Sequence, residues 1–319
     1  MAVYTDVSFE ELEVFLAAYD LGHAHVFKGI AEGVSNSNYY LQTSKGAYIL
    51  TLYEKRVETD DLPFYLGLME HLAQAGIRCP TPVHSKSGQH TGVLNGRPAA
   101  ILTFLDGVSL RRPPVELCGR TGRALAELHA AGAGFAGRRA NSFGLQGWKA
   151  LAAECAAKAD SVAEGLKALI DDELAVLEAK WPTALPEGVI HADLFPDNVL
   201  FVDNDVSGII DFYFACCDAL AYDLAVTLNA WCFESDASFN LTKGRALIAG
   251  YQSKRPLQPA ERAAMPMLCR GAALRFLLTR LYDWLNPDPT ALVRPKDPRE
   301  FARRLRFHRT IKSAEAYGL

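Results

Sequence analysis

Residues 190–214 read IHADLFPDNVLFVDNDVSGIIDFYF. His191, Ala192 and Asp193 open the stretch, and Asn198 follows Asp193 by five positions. Two apolar runs, 199–202 and 206–210, flank the turn residues Asp203, Asn204 and Asp205. Such a pattern predicts a tight β-ribbon. Asp211 stands at the end of its second strand. A turn centred on Asn204 sets Asn198 opposite Ile210, which brings Asp211 to the same open end of the ribbon as Asn198. Two oxygen-bearing side chains meeting there suit a hard cation such as Mg²⁺, which keeps waters and phosphate oxygens in its coordination shell. Asp193, one loop earlier, can reach the same point without being used as a ligand.

This H-x-D-x-x-x-x-N loop with a downstream Asp is the arrangement that kinase-type phosphoryl transfer requires. In that chemistry Asp193 orients an acceptor hydroxyl and takes its proton. Asn198 and Asp211 hold Mg²⁺, which bridges the ATP phosphates and offsets developing charge. His191 is scaffold, tying the loop down by hydrogen bonds. The plain structural alternative is a polar hairpin with a satisfied His and solvated carboxylates; the strand context and Asp211 weigh against it.

The rest of the chain is consistent with an enzyme of this kind. With 319 residues it is long enough for one large or two coupled domains. A hydrophobic content of 50% against 22% charged residues supports a real core and excludes wholesale disorder. A net charge of −4 weighs against a nucleic-acid partner. The opening MAVYTDVSFEELEVF carries acids where a secretory leader needs positive charge, and no apolar run is long enough to span a bilayer. A cytoplasmic location without membrane partners is therefore expected. Seven cysteines without a CxxC pair indicate neither a disulfide framework nor zinc, but small buried residues in a reducing compartment.

Residues 1–105 read as β-rich: strands at 26–30, 39–42, 47–53 and 97–105, with helices at 8–21 and 61–75. From 106 to 319 the pattern is mainly helical, with long stretches at 115–131 and 148–181, strands returning across 188–214, and helices beyond 219. The Pro-rich segment 286–300 reads as a loop. Gly132, Gly134 and Gly137 match G-x-G-x-x-G, but a helix precedes them where a dinucleotide site needs a strand, so a turn after a helix is expected instead.

Taken together, HADLFPDN, IIDF, DALAYDLA (with Asp218 and Asp223) and the His129 helix ALAELHAAG resemble the aminoglycoside-phosphotransferase and choline-kinase superfamily. GVSNSNYYL at 33–41, YILTLYE at 48–54, RGAALRFLLTRLYDWLNPDP at 270–289 and PKDPREFARRLRFH at 295–308 are similar to its homoserine kinases. The resemblance spans nearly the whole chain. It implies an α+β, two-lobed protein-kinase-like fold, with a small antiparallel-sheet lobe over 1–105 that binds nucleotide. A larger, mainly helical lobe over 106–319 would hold the catalytic loop and acceptor site. It further implies ATP and Mg²⁺ as cofactors and L-homoserine as the acceptor, a step toward threonine. The loop 33–38 would then cover the phosphates, with Ser35, Asn36, Ser37 and Asn38 as donors beside the backbone N–H groups. Adenine would bind the strand end at Thr103, Phe104 and Leu105. One departure stands out. The superfamily usually pairs a basic residue on the third strand with a helical Glu, and here those positions fall on Thr51 and Tyr65; losing both together avoids an unpaired buried charge. Lys55 or Arg56 could serve the phosphates instead.

The acceptor is expected to be small, because only twelve positions separate Asp211 from Asp223 and no A-P-E follows. Residues 254–319 hold fourteen Lys and Arg against six Asp and Glu, so the remainder of the chain is strongly acidic. An amino-acid acceptor presents a carboxylate that Arg can clamp, and Arg270, Arg275 and Arg280 recur on one predicted helix as candidates. Choline, ethanolamine, methylthioribose or an aminoglycoside remain alternative acceptors, and a catalytically silent nucleotide-binding regulator is an alternative of another class. The oligomeric state is left open.

Overall fold

A computed structural model describes residues 5–30, 36–54, 58–287 and 295–319. The described residues fall into two compact units, one reaching to Asp106 and including Gly208–Tyr213, the other holding the rest of the chain from Gly107 onward.

The first unit begins with α1 (Phe9–Leu16), started by a capping box in which Ser8 and Glu11 satisfy each other's backbone N–H. The helix is shorter than its apolar spacing predicts. Lys86 takes over the carbonyls of Ala17 and Ala18 through its side chain and backbone N–H, and the chain turns there. Strands β1 (Ala24–Gly29), β2 (Ser37–Thr43) and β3 (Gly46–Leu52) follow, then α2 (Leu62–Gln74), β4 (Gly92–Leu94) and β5 (Arg97–Thr103). They form one antiparallel sheet in the order β1-β2-β3-β5-β4. The β4 strand is too short for any hydrophobic period to reveal. Its hairpin is made by Asn95 and Gly96, both at positive φ, the pair of angles a two-residue turn demands. Strict alternation along β2 buries Ser37, Tyr39, Leu41 and Thr43. The core of this unit gathers Leu12, Phe15 and Leu16 of α1 with Tyr39, Leu41, Leu50, Leu52 and Ile101 of the sheet.

The second unit is mainly helical. Its α3 (Val115–Gly132) packs on α8 (Leu241–Gln252), so closely that a Cβ on Gly122 would lie 1.9 Å from the carbonyl oxygen of Leu247. The helical stretch expected over 148–181 is broken into α4 (Leu145–Cys155), α5 (Ala159–Val162) and α6 (Leu166–Lys180), the last break falling where Gly165 enters α6 from the left-handed region. Strand β6 (Glu187–Ile190) pairs antiparallel with β9 (Cys216–Ala219), Ile190 opposite Cys216. Between them lies the ribbon of β7 (Val199–Val202) and β8 (Asp205–Ile209). Its turn consists of two residues, Asp203 and Asn204, both at positive φ. Val202 therefore faces Asp205, and the register centred on Asn204 is corrected by half a step. Helix α7 (Leu220–Trp231) follows β9 directly, and α9 (Pro259–Leu285) and α10 (Arg299–Thr310) complete the unit. The expected loop 286–300 ends where α10 begins at Arg299, and residues 288–294 lie outside the described ones. Gly132 is the last residue of α3, so the G-x-G-x-x-G stretch follows a helix. All seven cysteines are free and six are buried. No helix among the described residues is long and apolar enough to cross a membrane.

Candidate active site

The loop from β6 to β7 is held by its backbone rather than by its own side chains. Asp223, one turn into α7 and fully buried, accepts the N–H of His191 at 2.7 Å on one oxygen and that of Ala192 at 2.8 Å on the other. The same carboxylate meets His129 Nε2 at 3.0 Å, whose Nδ1 lies 2.8 Å from the Tyr251 hydroxyl. Burial pushes the Asp223 carboxyl up, but the hydrogen bond and charge of His129, with His191 beside it, outweigh burial and hold it below the ordinary carboxylate range.

Ala192 sits at φ +62, a region that costs a residue with a Cβ about 1–2 kcal/mol. Its N–H is fixed by Asp223, and its carbonyl, in the next peptide unit, accepts from Arg275 of α9. The strained turn is thus clamped from two helices. Arg275 is itself buried and lies over the rings of Phe143, Phe214 and Phe276 at 5.2, 5.5 and 4.7 Å.

Asp193 follows directly. Its N–H donates to His191 Nδ1 at 3.2 Å, and its carbonyl accepts from the N–H of Phe195 at 2.8 Å. Asn198, buried at the end of a 3₁₀ turn, donates its Nδ2 to the Asp193 carbonyl at 2.8 Å and lies 3.3 Å from Asp193 Oδ2. Trp231 Nε1 donates to the Leu194 carbonyl at 2.8 Å. His191, Asp193 and Asn198 are therefore one connected cluster. With Nδ2 of Asn198 committed to Asp193, its Oδ1 is the acceptor atom left for a cation.

In the first unit, Asp211 is exposed and sits at φ +66, next to the buried Phe212. Two contacts tie this segment to its neighbours in the same unit: Ile209 N–H donates to Arg78 at 2.9 Å, and a Cβ on Gly208 would lie 2.7 Å from Leu105 Cδ1. Leu105, at the expected adenine-binding strand end, and the approach to Asp211 are thereby brought together. Phe104 is partly exposed, and Thr103 exchanges hydrogen bonds with Thr81 through its backbone N–H and its hydroxyl.

Of the phosphate-loop candidates, Ser35 lies outside the described residues, as do Gly33, Lys55 and Arg56. Asn36 and Ser37 are buried against Glu54: Ser37 donates to its carboxylate at 2.8 Å, and Asn36 accepts the Glu54 N–H at 3.3 Å. Thr5 and Arg97 complete the partners of that carboxylate. Their side chains serve the sheet, with Ser37 on its core face because the strand alternates. Asn38 points to the other face, where it accepts from Thr51 at 2.8 Å.

Thr51 and Tyr65, the positions read as replacing a Lys–Glu pair, both belong to a hydroxyl-rich aromatic cluster. Thr51 is buried and also reaches Tyr213, two residues past Asp211. Tyr213 meets Tyr53 at 3.2 Å between hydroxyls, and the ring of Tyr65 stands edge-on to it at 5.7 Å. Burial first, and the Asp211 charge as a smaller contribution, push the Tyr213 phenol up to about 12. Neutral groups that satisfy one another stand in this place, so no unpaired charge is buried.

The three arginines of α9 are engaged inside the protein. Arg270 forms a bidentate pair with fully buried Glu173 at 2.6 and 2.7 Å, and Arg280 pairs with Glu300 at 2.6 Å over the Phe301 ring. Together with Arg275 on the Ala192 carbonyl, these placements favour structural duty over the expected clamp on an acceptor carboxylate. Spacing on one helix could not reveal this, since Glu173 and Ala192 are more than eighty residues away in sequence. Asp223 is the loop anchor that the motif spacing missed. Its only signal was the DALAYDLA stretch.

Comparison with known proteins places these features in a family. Residues 26–257 match the phosphotransferase enzyme family. A homoserine kinase of Xanthobacter autotrophicus is 62% identical over all of this chain and 99% of its own length. A homoserine kinase of Azorhizobium caulinodans is 61% identical over the same shares. Among solved structures, a spectinomycin phosphotransferase in complex with ADP and spectinomycin is only 13% identical but shares the fold, with a TM-score of 0.72 over 98% of this chain and 100% of that one. Matched over most of its length by that family and over all of it by homoserine kinases, the chain belongs to the phosphotransferase enzyme family.

Proposed function

We propose that this protein transfers the γ-phosphate of ATP to the side-chain hydroxyl of L-homoserine, supplying a phosphorylated intermediate toward threonine. The observation that carries the reading is the likeness over the full chain to homoserine kinases at 61–62% identity, together with an intact His191, Asp193, Asn198 and Asp211 set.

In this reaction Asp193 is the proton acceptor. Its backbone is held on both sides, by His191 and by Phe195, so its carboxylate is pre-positioned rather than recruited. It orients the homoserine hydroxyl and receives its proton as the phosphoryl group arrives. Asn198 and Asp211 are the residues that would hold Mg²⁺; an amide oxygen and a carboxylate are the hard oxygen donors this ion prefers, and waters and phosphate oxygens complete its shell. When bound, the ion neutralises charge on the transferring phosphates. His191 keeps the loop in shape. Leu105, Thr103 and Phe104 offer the strand end for adenine, and backbone N–H groups within 33–38, the segment that runs into the start of β2, would serve the phosphates. A cytoplasmic location belongs to the same proposal, since ATP and seven unpaired thiols fit a reducing compartment.

A coupled ADP-release assay over homoserine, choline, ethanolamine and an aminoglycoside tests it. Homoserine should give the highest kcat/KM, with turnover dependent on Mg²⁺. Preference for another acceptor, or no turnover with any, would overturn the reading.

A further inference from the structure

We propose that Glu70, His84 and His90 form a binding site for a divalent first-row transition-metal ion of the zinc type, in the first unit and separate in chemistry from the oxygen-donor residues assigned to Mg²⁺. Glu70 lies near the end of α2, and the two histidines bracket a short turn. That turn is closed by Ser85 N–H to the Gln89 carbonyl at 2.9 Å and Gly88 N–H to the Ser85 carbonyl at 2.8 Å, with Gly88 at φ +82. The local backbone thus brings both imidazoles to one side, edge-on at 86° with ring centres 4.4 Å apart.

Three potential ligand atoms converge. His84 Nε2 lies 2.8 Å from one Glu70 oxygen, His90 Nε2 lies 3.1 Å from the other, and the two Nε2 atoms are 3.0 Å apart. Among the described residues no other set of three His, Cys, Asp or Glu converges in this way.

Proton accounting shows why a cation fits better than hydrogen bonds. If both Nε2 atoms carry hydrogen, each can serve a Glu70 oxygen, but two N–H groups then face each other at 3.0 Å. If only one does, the histidines can bond to each other, but the bare nitrogen turns its lone pair toward a carboxylate oxygen. No assignment satisfies all three contacts. A cation satisfies them together, because each atom then offers a lone pair to the same centre. Neighbouring ligands on an ion with bonds of about 2.0–2.2 Å lie about 2.8–3.1 Å apart at right-angle geometry and about 3.3–3.6 Å at tetrahedral geometry, so the three atoms need to open by no more than a few tenths of an ångström.

Two imidazoles and one carboxylate select zinc, nickel, cobalt or copper over Mg²⁺ or Ca²⁺, which prefer all-oxygen shells. Side-chain exposures of 44% for His84, 27% for His90 and 29% for Glu70 leave room for water to complete the coordination. The ion would clip α2 to the segment leading into β4, a link otherwise made by side chains that cannot all be satisfied.

The test uses the full-length protein and Zn²⁺ or Co²⁺. Titration calorimetry with Zn²⁺ should show one ion per chain, and Co²⁺ should give the visible absorption of a nitrogen-ligated ion, neither displaced by millimolar Mg²⁺. Second-layer partners of metal ligands are worth about 10–100-fold in affinity, so losing a direct ligand in His84→Ala, His90→Ala or Glu70→Gln should weaken binding by at least as much. The melting temperature should rise with Zn²⁺ in the parent and not in the variants. His23→Ala, an exposed histidine elsewhere, serves as control and should bind as the parent does. Failure of the parent to bind Zn²⁺ or Co²⁺ would overturn the proposal. So would binding that survives in folded variants, judged by circular dichroism. Homoserine phosphorylation is not the readout, so failure here is distinct from failure of the kinase reading.

Discussion

The Asp223 carboxylate accepts the N–H of Ala192 at 2.8 Å, and Ala192 holds a left-handed φ of +62 immediately before Asp193. A buried acid on one helix thereby fixes the backbone bend that presents the proposed base. The bend would cost energy if left alone, and it persists because its N–H and C=O are both held.

Asp223→Asn should therefore weaken both folding and catalysis. It removes the charge facing His129 and leaves an amide donor near backbone donors. Breaking a buried ionic partner typically costs about 3–5 kcal/mol. Urea unfolding should show a loss of this order, and kcat should fall at least about tenfold as the loop relaxes. An unchanged unfolding midpoint would show that Asp223 is not the anchor.

Asp193→Ala should lower kcat by about 10²–10⁴-fold, the usual worth of a positioned general base, with the KM for ATP little changed. Steady-state kinetics at saturating Mg-ATP decide this. Retained turnover would remove Asp193 from the mechanism.

Arg275→Met separates two roles. If Arg275 supports the loop, the variant loses a charged hydrogen bond worth about 1.5–3 kcal/mol and its ring contacts, and kcat falls while the KM for homoserine moves little. A large rise in that KM with unchanged kcat would instead mark Arg275 as the acceptor's carboxylate ligand.

Thr51→Lys asks whether the missing basic residue can be restored. Thr51 is only 2% exposed, hydrogen-bonded to Asn38 and close to Tyr213, so a charge placed there would be buried among neutral hydroxyls. A lysine there should destabilise the protein by several kcal/mol and fail to raise kcat/KM for ATP, read by thermal unfolding and kinetics. A stable, faster variant would show that the tyrosine cluster is a dispensable filler.

His308 gives a pH signature. It is buried between Asn229 and Tyr317, and burial, with the charges of Arg304 and Arg270, pushes it down from 6.5 to about 3. Above pH 6.5 both folded and unfolded forms are neutral, and this residue adds no slope. Below 6.5 the unfolded chain takes up a proton that the folded one refuses. Stability therefore falls by about 1.4 kcal/mol per pH unit from this group down to about pH 3. Unfolding of the parent and His308→Gln between pH 6.5 and 4.5 should show the shallower slope in the variant. Equal slopes would mean that His308 protonates without unfolding.

Local chemistry made much of the fold readable. The Ser8–Glu11 box starts α1, the strand read at 39–42 falls inside β2, which begins two residues earlier at Ser37, and the apolar runs around Asp203 and Asn204 mark the ribbon, because each depends on neighbours within a few residues. The β4 strand, three residues long, was too short for periodicity to show. The end of α1 could not be read, since Lys86, far along the chain, takes the carbonyls of Ala17 and Ala18 just past it.

The sequence by itself determined which side chains are available for chemistry: His191, Asp193, Asn198 and Asp211 at spacings that only a loop and a ribbon explain. Only the tertiary structure decided what supports them. Asp223 reaches back 31 residues to Ala192, and Arg275 reaches back 83. Tertiary packing also gave the α9 arginines their buried partners and set Tyr213 beside Thr51. The physical reason is that reactive groups are declared by their type and local spacing. Their supports are chosen by packing, where any polar group of suitable shape can satisfy a buried donor and no fixed spacing records which one does.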